Sequence, residues 1–138
     1  QARAAALATT LTALDRDFST GLKRCATTKL VTGHAAFGYL AERYGLTQIP
    51  IAGLSPDQEP SANQLADIAA TAKAAGVTTI FTETLVDPKF AQTVAKESGT
   101  ALAVLDPLEG ITDQSAGKDY HAVMLANLAT LRTGLECR

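Results

Sequence analysis

Leu30-Val31-Thr32-Gly33-His34-Ala35-Ala36-Phe37-Gly38-Tyr39-Leu40 is the stretch that sets the arrangement of the rest of the chain. Two apolar residues run into Thr-Gly-His, and apolar residues at helical spacing begin at once with Phe37 and Leu40. This pattern predicts a buried strand, a tight turn and the first turn of a helix. It places His34 at the carboxyl end of a strand and in the first turn of the helix that follows, where open α/β sheets usually bind their ligands.

The residues on either side continue this alternation of strand and helix. Short apolar runs predict four strands, at Lys29–Thr32, Leu46–Ile51, Val77–Thr82 and Ala101–Leu105. A long amphipathic helix over residues 2–22 comes first, and a last helix is predicted over 118–136. Strands that alternate with helices form parallel sheets with right-handed crossovers. We therefore predict a single three-layer α/β/α domain over residues 1–138, α(βα)₄, with a four-stranded parallel sheet in the order 2-1-3-4.

Local signals predict where the helices begin. Ser61 and Gln64 have the spacing of a capping box, in which a hydroxyl and an amide satisfy the first free N–H groups of a helix. Asp87-Pro88 is typical of an N-cap followed by proline in the first helical position. The inward faces of the first and last helices are predicted from helical spacing: Leu7, Leu11, Leu14, Phe18 and Leu22 in the first, and Tyr120, Met124, Leu128, Leu131 and Leu135 in the last.

Composition argues against several classes of function. The chain has 138 residues, of which 46% are hydrophobic, and a formal net charge of −2, as expected of one globular domain. It has no Lys- or Arg-rich block and only 5% aromatic residues, so nucleic-acid binding is not expected. No apolar run approaches the roughly 18 residues of a membrane span. A starting Met and a signal-peptide pattern are both missing, so we expect the chain to be cut from a longer protein.

The two cysteines, Cys25 and Cys137, lie outside any CxxC motif. In the predicted topology Cys25 precedes the first strand, and Cys137 ends a helix that returns to the same edge of the sheet. The two thiols are therefore expected to be neighbours. Disulfides persist in oxidising compartments, where we expect this bond to form. Two buried, unbonded thiols are the alternative.

Polar residues gather at the carboxyl ends of the four predicted strands. These ends present His34, the Gly53-Leu54-Ser55-Pro56 loop, Glu83 and Asp106-Pro107. One histidine and two carboxylates from separate strands form a mixed nitrogen and oxygen set of the kind that binds Zn²⁺ or Mn²⁺. Asp106 is expected to join His34 in the site. Simpler interpretations stay open: His34 as a hydrogen-bonded cap, Asp106 as a turn former and Glu83 as a loop cap.

Motifs for other chemistries are missing from the sequence. It contains no GxSxG nucleophile elbow, no P-loop, no GxGxxG after a strand and no HExxH. We therefore predict no catalytic residues. The residues by themselves indicate an α/β domain that carries part of a metal site.

Five motifs, in order, resemble the zinc- and manganese-binding solute receptors of bacterial ABC importers, the ZnuA/TroA-like family. They are Thr32-Gly33-His34-Ala35-Ala36-Phe37-Gly38-Tyr39-Leu40-Ala41 with Tyr44-Gly45-Leu46, Gly53-Leu54-Ser55-Pro56-Asp57-Gln58-Glu59-Pro60-Ser61, Ile80-Phe81-Thr82-Glu83, Leu105-Asp106-Pro107-Leu108, and Asp119-Tyr120 with Met124 and Asn127-Leu128. The resemblance covers essentially the whole chain. In that family two α/β lobes clamp one metal ion between them, and this sequence resembles the carboxyl-terminal lobe.

The resemblance implies a binding protein without turnover. It would be an extracytoplasmic receptor, lipid-anchored in the intact protein, that holds Zn²⁺ and delivers it to an ABC permease. The helix over residues 2–22 would be the interlobe helix or the one after it. Because the amino-terminal lobe and its histidines are missing, we expect this chain to bind zinc weakly or not at all by itself.

The resemblance also assigns roles to single residues. His34 falls on this lobe's first metal ligand, and a histidine at that place favours Zn²⁺ over Mn²⁺. Asp106 falls on the aspartate of the family. Glu83, Ser55 and Glu59 are then expected at the rim of the site or behind its ligands.

Two alternatives from other classes of protein remain open. A metal-dependent hydrolase fragment would turn over an ester with Glu83 or Asp106. A flavodoxin-like interaction domain would bind protein at the same rim. Its melting temperature would not respond to zinc, whereas a ligand that binds only the native state stabilises it.

Overall fold

Four parallel strands form one sheet in the computed structural model, which describes residues 1–55, 57–84 and 86–138. They are β1 Lys29–Thr32, β2 Thr47–Pro50, β3 Thr79–Thr82 and β4 Ala101–Val104. β1 pairs with β2 and β3, and β3 pairs with β4, so the order is β2-β1-β3-β4. This confirms the predicted sheet, although β2, β3 and β4 are shorter than predicted.

Five helices in the described residues cover the two faces of this sheet. They are α1 Ala2–Gly21, α2 Gly38–Arg43, α3 Ala62–Ala74, α4 Lys89–Ser98 and α5 Tyr120–Gly134. Helices α1, α2 and α5 pack on one face around Phe18, Leu30 and Phe81. Helices α3 and α4 pack on the other face around Val31 and Ile80. The predicted three-layer α/β/α architecture is therefore confirmed.

The helix starts follow the predicted signals closely. Ser61 Oγ accepts the Gln64 N–H at 3.3 Å and Gln64 Oε1 accepts the Ser61 N–H at 2.8 Å, which confirms the capping box. Helix α4 begins one residue later than predicted, because Pro88 is its N-cap and not its first helical residue. Asp87 Oδ1 nevertheless accepts the Lys89 N–H at 3.0 Å, so the aspartate still caps this end.

The predicted inward faces of α1 and α5 are correct only in part. Leu14, Phe18 and Leu22 are buried, but Leu7 and Leu11 are 59% and 41% exposed. All of residues 1–12 are exposed, so the first half of α1 extends beyond the packed body of the described chain. Tyr120, the first residue of α5, is also exposed, and the buried face of that helix includes Val123 and Asn127 instead.

Cys25 and Cys137 form a disulfide, as predicted. The bond joins the segment before β1 to the segment after α5. Two backbone hydrogen bonds support the same junction: Ala26 N–H donates to Leu135 O at 3.0 Å, and Arg138 N–H donates to Arg24 O at 2.8 Å. The junction lies at the amino ends of the strands, opposite the edge that carries His34. Nowhere in the described chain is a helix long and apolar enough to cross a membrane.

Candidate metal centre

The carboxyl ends of β1 and β3 frame the candidate site. β1 leads into α2 on one face of the sheet, and β3 leads towards α4 on the other face. Neighbouring strands whose connections leave in opposite directions open a crevice, which is the usual ligand position of such sheets. His34 follows β1 and Glu83 follows β3, and their side chains are only 3% and 1% exposed.

His34 lies in a bend and not in the first turn of a helix, which corrects the sequence prediction. Helix α2 begins only at Gly38. The Ala35 N–H donates to Gly53 O at 3.0 Å, which ties the chain after His34 to the loop that follows β2. The helix can start only beyond this tie, and its first carbonyl acceptor is Phe37 O, which receives the Ala41 N–H at 2.8 Å.

The backbone of His34 is fixed on both sides by side chains from all three neighbouring strands. Its N–H donates to Glu83 Oε1 at 3.1 Å. Its carbonyl accepts from Thr32 Oγ1 at 2.7 Å and from Gln48 Nε2 at 3.0 Å. Gln48 Nε2 also donates to Thr32 Oγ1 at 2.8 Å. The imidazole therefore projects from a backbone that has little freedom to move.

Glu83 lies beside Nδ1 of the imidazole, and Gly33 makes room for it. Glu83 Oε1 is 3.4 Å from His34 Nδ1. A Cβ atom at residue 33 would overlap the Glu83 carboxylate, so any other residue there would have to displace that carboxylate. Burial raises the pKa of Glu83 above its ordinary value, while the backbone N–H and the imidazole of His34 act in the opposite direction. Within the described residues, His34 Nδ1 and Glu83 Oε2 are buried and have no hydrogen-bond partner.

The other imidazole nitrogen faces a carboxylate that the sequence prediction missed. Glu109 Oε1 lies 3.5 Å from His34 Nε2, and the Glu109 side chain is 49% exposed. Glu109 follows directly after the Leu105-Asp106-Pro107-Leu108 motif, and this adjacency was the one signal that could have identified it. The site therefore has a buried side at Glu83 and an open side at Glu109.

Asp106, the predicted partner of His34, is engaged elsewhere. It is buried, and its Oδ1 accepts the Leu108 N–H at 2.8 Å. Its Oδ2 is buried without a hydrogen-bond partner among the described residues. Across residues 1–55, 57–84 and 86–138, no three His, Cys, Asp or Glu side chains converge closely enough to hold a metal ion. The structure thus places Glu83 beside His34 Nδ1 and Glu109 beside His34 Nε2, so the two carboxylates lie at different nitrogens of the ring, and in the described chain Asp106 is not within 4 Å of either nitrogen.

The remaining predicted rim residues lie in exposed loops. Ser55 Oγ accepts the Asp57 N–H at 3.4 Å, and Glu59 pairs with Lys89 at 3.4 Å. These contacts serve the loop and the start of α4. Pro56, which belongs to the predicted rim loop, lies outside the described residues.

The pair formed by His34 and Glu109 has the spacing of two zinc ligands. Zinc binds histidine nitrogen and carboxylate oxygen at about 2.0 to 2.2 Å, so two such atoms around a tetrahedral ion are about 3.4 Å apart. The distance from His34 Nε2 to Glu109 Oε1 is 3.5 Å. A carboxylate beside the second nitrogen is a common support of zinc-bound histidines. The arrangement can therefore supply two ligands and the group behind one of them.

Comparisons with known proteins agree with this chemistry. The family model described as "Zinc-uptake complex component A periplasmic" (ZnuA) matches residues 1–134. The zinc-binding protein AdcA of Streptococcus pyogenes serotype M1 is 46% identical over 134 residues, which cover 96% of this chain and 26% of AdcA. The high-affinity zinc uptake system protein ZnuA of Bacillus subtilis (strain 168) is 44% identical over 124 residues, which cover 88% of this chain and 39% of that protein.

A solved structure shows the same fold. The laminin-binding protein Lbp of Streptococcus pyogenes superposes with a TM-score of 0.82 at 40% identity, covering 90% of this chain and 48% of that one. The chain thus spans less than half the length of each of these relatives. Because the family model matches nearly all of its residues, the chain belongs to the ZnuA family of periplasmic zinc-uptake components.

Proposed function

We propose that this chain is the carboxyl-terminal lobe of an extracytoplasmic receptor that binds Zn²⁺ and delivers it to an ABC importer. The observation that carries the proposal is the pair of His34 Nε2 and Glu109 Oε1, 3.5 Å apart at the mouth of the crevice. The names of AdcA and of the Bacillus subtilis ZnuA, which refer to zinc binding and zinc uptake, support zinc as the cargo.

His34 would be the principal ligand, bound through Nε2. Imidazole binds a metal ion through a nitrogen that carries no proton, and the proton then resides on the other nitrogen. Glu83 Oε1, 3.4 Å from Nδ1, is the nearest acceptor for that proton. The hydrogen bonds from Thr32 and Gln48 to the His34 carbonyl hold the backbone of His34 in place, so this ligand loses little conformational freedom when the metal binds.

Glu109 would be the second ligand. Its half-exposed carboxylate offers the oxygen donor that zinc accepts beside histidine. The prediction that Asp106 is the second ligand stays a prediction, and the contacts of the described residues favour Glu109. A four-coordinate zinc ion needs about two more ligands, which the other lobe or water would supply. The chain alone is therefore expected to bind zinc weakly.

Two features outside the site support the rest of the proposal. The Cys25–Cys137 disulfide fits an oxidising compartment outside the cytoplasm, where a lipid-anchored receptor would work. The exposed Leu7 and Leu11 on the first half of α1 form an apolar surface that a longer protein would cover. We propose that α1 is the interlobe helix or the one next to it, and that the permease is the partner of the intact protein.

Binding without turnover is favoured over hydrolysis. Catalytic zinc sites use three protein ligands and keep a fourth position for water or substrate. The matched family model and the names of the relatives refer to zinc uptake and zinc binding and not to hydrolysis, which favours a receptor.

Isothermal titration of zinc into the chain tests the proposal. His34→Ala and Glu109→Gln are expected to weaken zinc binding at least tenfold, because each removes one of two ligands. His121→Ala, which changes the only other histidine, and Glu59→Gln, which changes an exposed glutamate, are the matched controls and should leave it unchanged. Tight binding at one zinc ion per chain that survives His34→Ala would contradict the assignment.

A further inference from the structure

Helix α5 fixes the loop that carries Glu109 through the side chain of Asn127. Asn127 is 4% exposed. Its Oδ1 accepts the Asp106 N–H at 2.9 Å, and its Nδ2 donates to Asp106 O at 2.8 Å. One amide thus satisfies both backbone groups of Asp106, just beyond the end of β4. This pair of bonds replaces the strand neighbour that residue 106 no longer has.

The chain then reverses direction within two residues. Asp106 Oδ1 accepts the Leu108 N–H at 2.8 Å, which closes an Asx turn around Pro107. Leu108 adopts a left-handed backbone conformation with φ 62°, which is uncommon for a residue other than glycine, asparagine or aspartate. The next residue is Glu109, whose carboxylate lies 3.5 Å from His34 Nε2.

We propose that Asn127, Asp106 and the left-handed Leu108 form a positioning device that sets Glu109 against His34. The inference rests on the proposed function, since Glu109 and His34 are the zinc-binding pair there. Asp106 acts in this device through the turn and not as a metal ligand. Its Oδ1 already receives the Leu108 N–H, and among the described residues the carboxylates within 4 Å of a His34 ring nitrogen are those of Glu83 and Glu109 and not that of Asp106.

The physical reason for such a device is the half-exposed position of Glu109. A glutamate on a free surface loop would have to be ordered when the metal binds, and this ordering would reduce the affinity. A backbone that hydrogen bonds hold in the left-handed region has one conformation, so the loop is already ordered in the folded protein before the metal binds. Asn127 therefore links the buried face of α5 to the solvent-exposed side of the site.

Variants at Asp106 distinguish a positioning role from a ligand role. Asp106→Asn keeps an oxygen acceptor for the Leu108 N–H and removes the negative charge. The device predicts that zinc affinity, titrated with Zn²⁺ alone, changes by less than about tenfold. A loss as large as that of Glu109→Gln would overturn the inference, because it would show that the charge of Asp106 meets the metal.

Variants at Leu108 test the backbone conformation directly. Leu108→Val is expected to weaken zinc binding by about tenfold or more, because a β-branched residue resists the left-handed region. Leu108→Asn tolerates that region and is expected to restore the affinity, although its side chain is polar. Glu136→Val is the matched control: Glu136 is the other left-handed non-glycine residue of the described chain, at φ 54°, and it lies at the far edge beside the disulfide.

The melting temperature of the metal-free protein completes the test. Leu108→Val and Glu136→Val should lower it to a similar extent, and only Leu108→Val should weaken zinc binding. Equal zinc affinities for these two variants would overturn the positioning device. If Leu108→Val does not fold, the comparison of Asp106→Asn with Glu109→Gln decides. Zinc binding that is indifferent to His34→Ala would instead reject the proposed function, so the two failures can be told apart.

Discussion

Removal of the Cys25–Cys137 disulfide is expected to lower the free energy of unfolding by about 4.8 kcal/mol. The two cysteines are 112 residues apart in the sequence. In the chain-entropy account, the bond restricts the unfolded chain by an amount that grows with the logarithm of loop length, about 16 cal/mol/K for a loop of this size. The loss is a large fraction of the roughly 5 to 15 kcal/mol that stabilises a typical domain.

The double variant Cys25→Ser/Cys137→Ser measures this contribution without leaving a free thiol. With an unfolding entropy of about 0.29 kcal/mol/K for a chain of this length, its melting temperature should fall by about 16 °C. Urea denaturation gives the free energy directly, and the wild-type protein in reductant is the control that should match the variant. The hydrogen bonds of the junction, Ala26 to Leu135 and Arg138 to Arg24, are expected to keep the native arrangement. If the double variant loses less than about 1 kcal/mol of unfolding free energy, the disulfide does not stabilise the protein by restricting its unfolded chain.

Three further predictions concern the candidate site. Gly33→Ala should lower the free energy of unfolding by about 1 to 3 kcal/mol and weaken zinc binding, because the new Cβ displaces the Glu83 carboxylate. Gly110→Ala is the control, since a Cβ at residue 110 meets nothing within 4 Å. Equal effects of the two variants would contradict the claim that a Cβ at residue 33 displaces Glu83. Burial raises the pKa of Glu83 above its ordinary value of 4.5, so the contribution of Glu83 to stability is fully present below pH 4.5 and is lost as pH rises through the raised pKa. In urea titrations between about pH 4 and 8, Glu83→Gln should lack this decrease in the free energy of unfolding with rising pH. The same decrease in the variant as in the wild-type protein would contradict the prediction. Zinc at ten times its dissociation constant should stabilise the chain by about 1.4 kcal/mol, seen as a rise in melting temperature that a chelator reverses; no rise would favour the interaction domain.

The fold could be predicted because its signals are local. Apolar runs, the Ser61 capping box and glycines at helix ends each act within a few residues. Gly45, Gly76 and Gly99 lie just beyond the ends of α2, α3 and α4, and all three adopt the positive φ that favours glycine. The handedness of the connections limits the possible strand orders but does not by itself select the order 2-1-3-4, which no local signal encodes. The start of α2 was predicted too early because it depends on a distant contact, the hydrogen bond from Ala35 to Gly53.

Of the predicted site residues, His34 and Glu83 are the two that the structure brings into contact, and both closely follow strands; the metal-binding roles of His34 and Asp106 stay predictions. Glu109 escaped prediction because a left-handed Leu108 directs it, and leucine carries no local signal for that conformation. Asp106 attracted attention as a carboxylate at a strand end, but its contacts are with backbone groups of Leu108 and with Asn127. A hydrogen-bonded turn from a buried helix to a surface loop cannot be read from residue types.

The unequal exposure of the two proposed ligands has a consequence for the route of the ion. Glu109 reaches into solvent, whereas His34 is buried behind it. A hydrated cation arriving from outside would exchange its first water for carboxylate oxygen and a later one for imidazole nitrogen. Release of the ion would follow the same two steps in reverse, so Glu109 would be the last ligand of this lobe to dissociate from it.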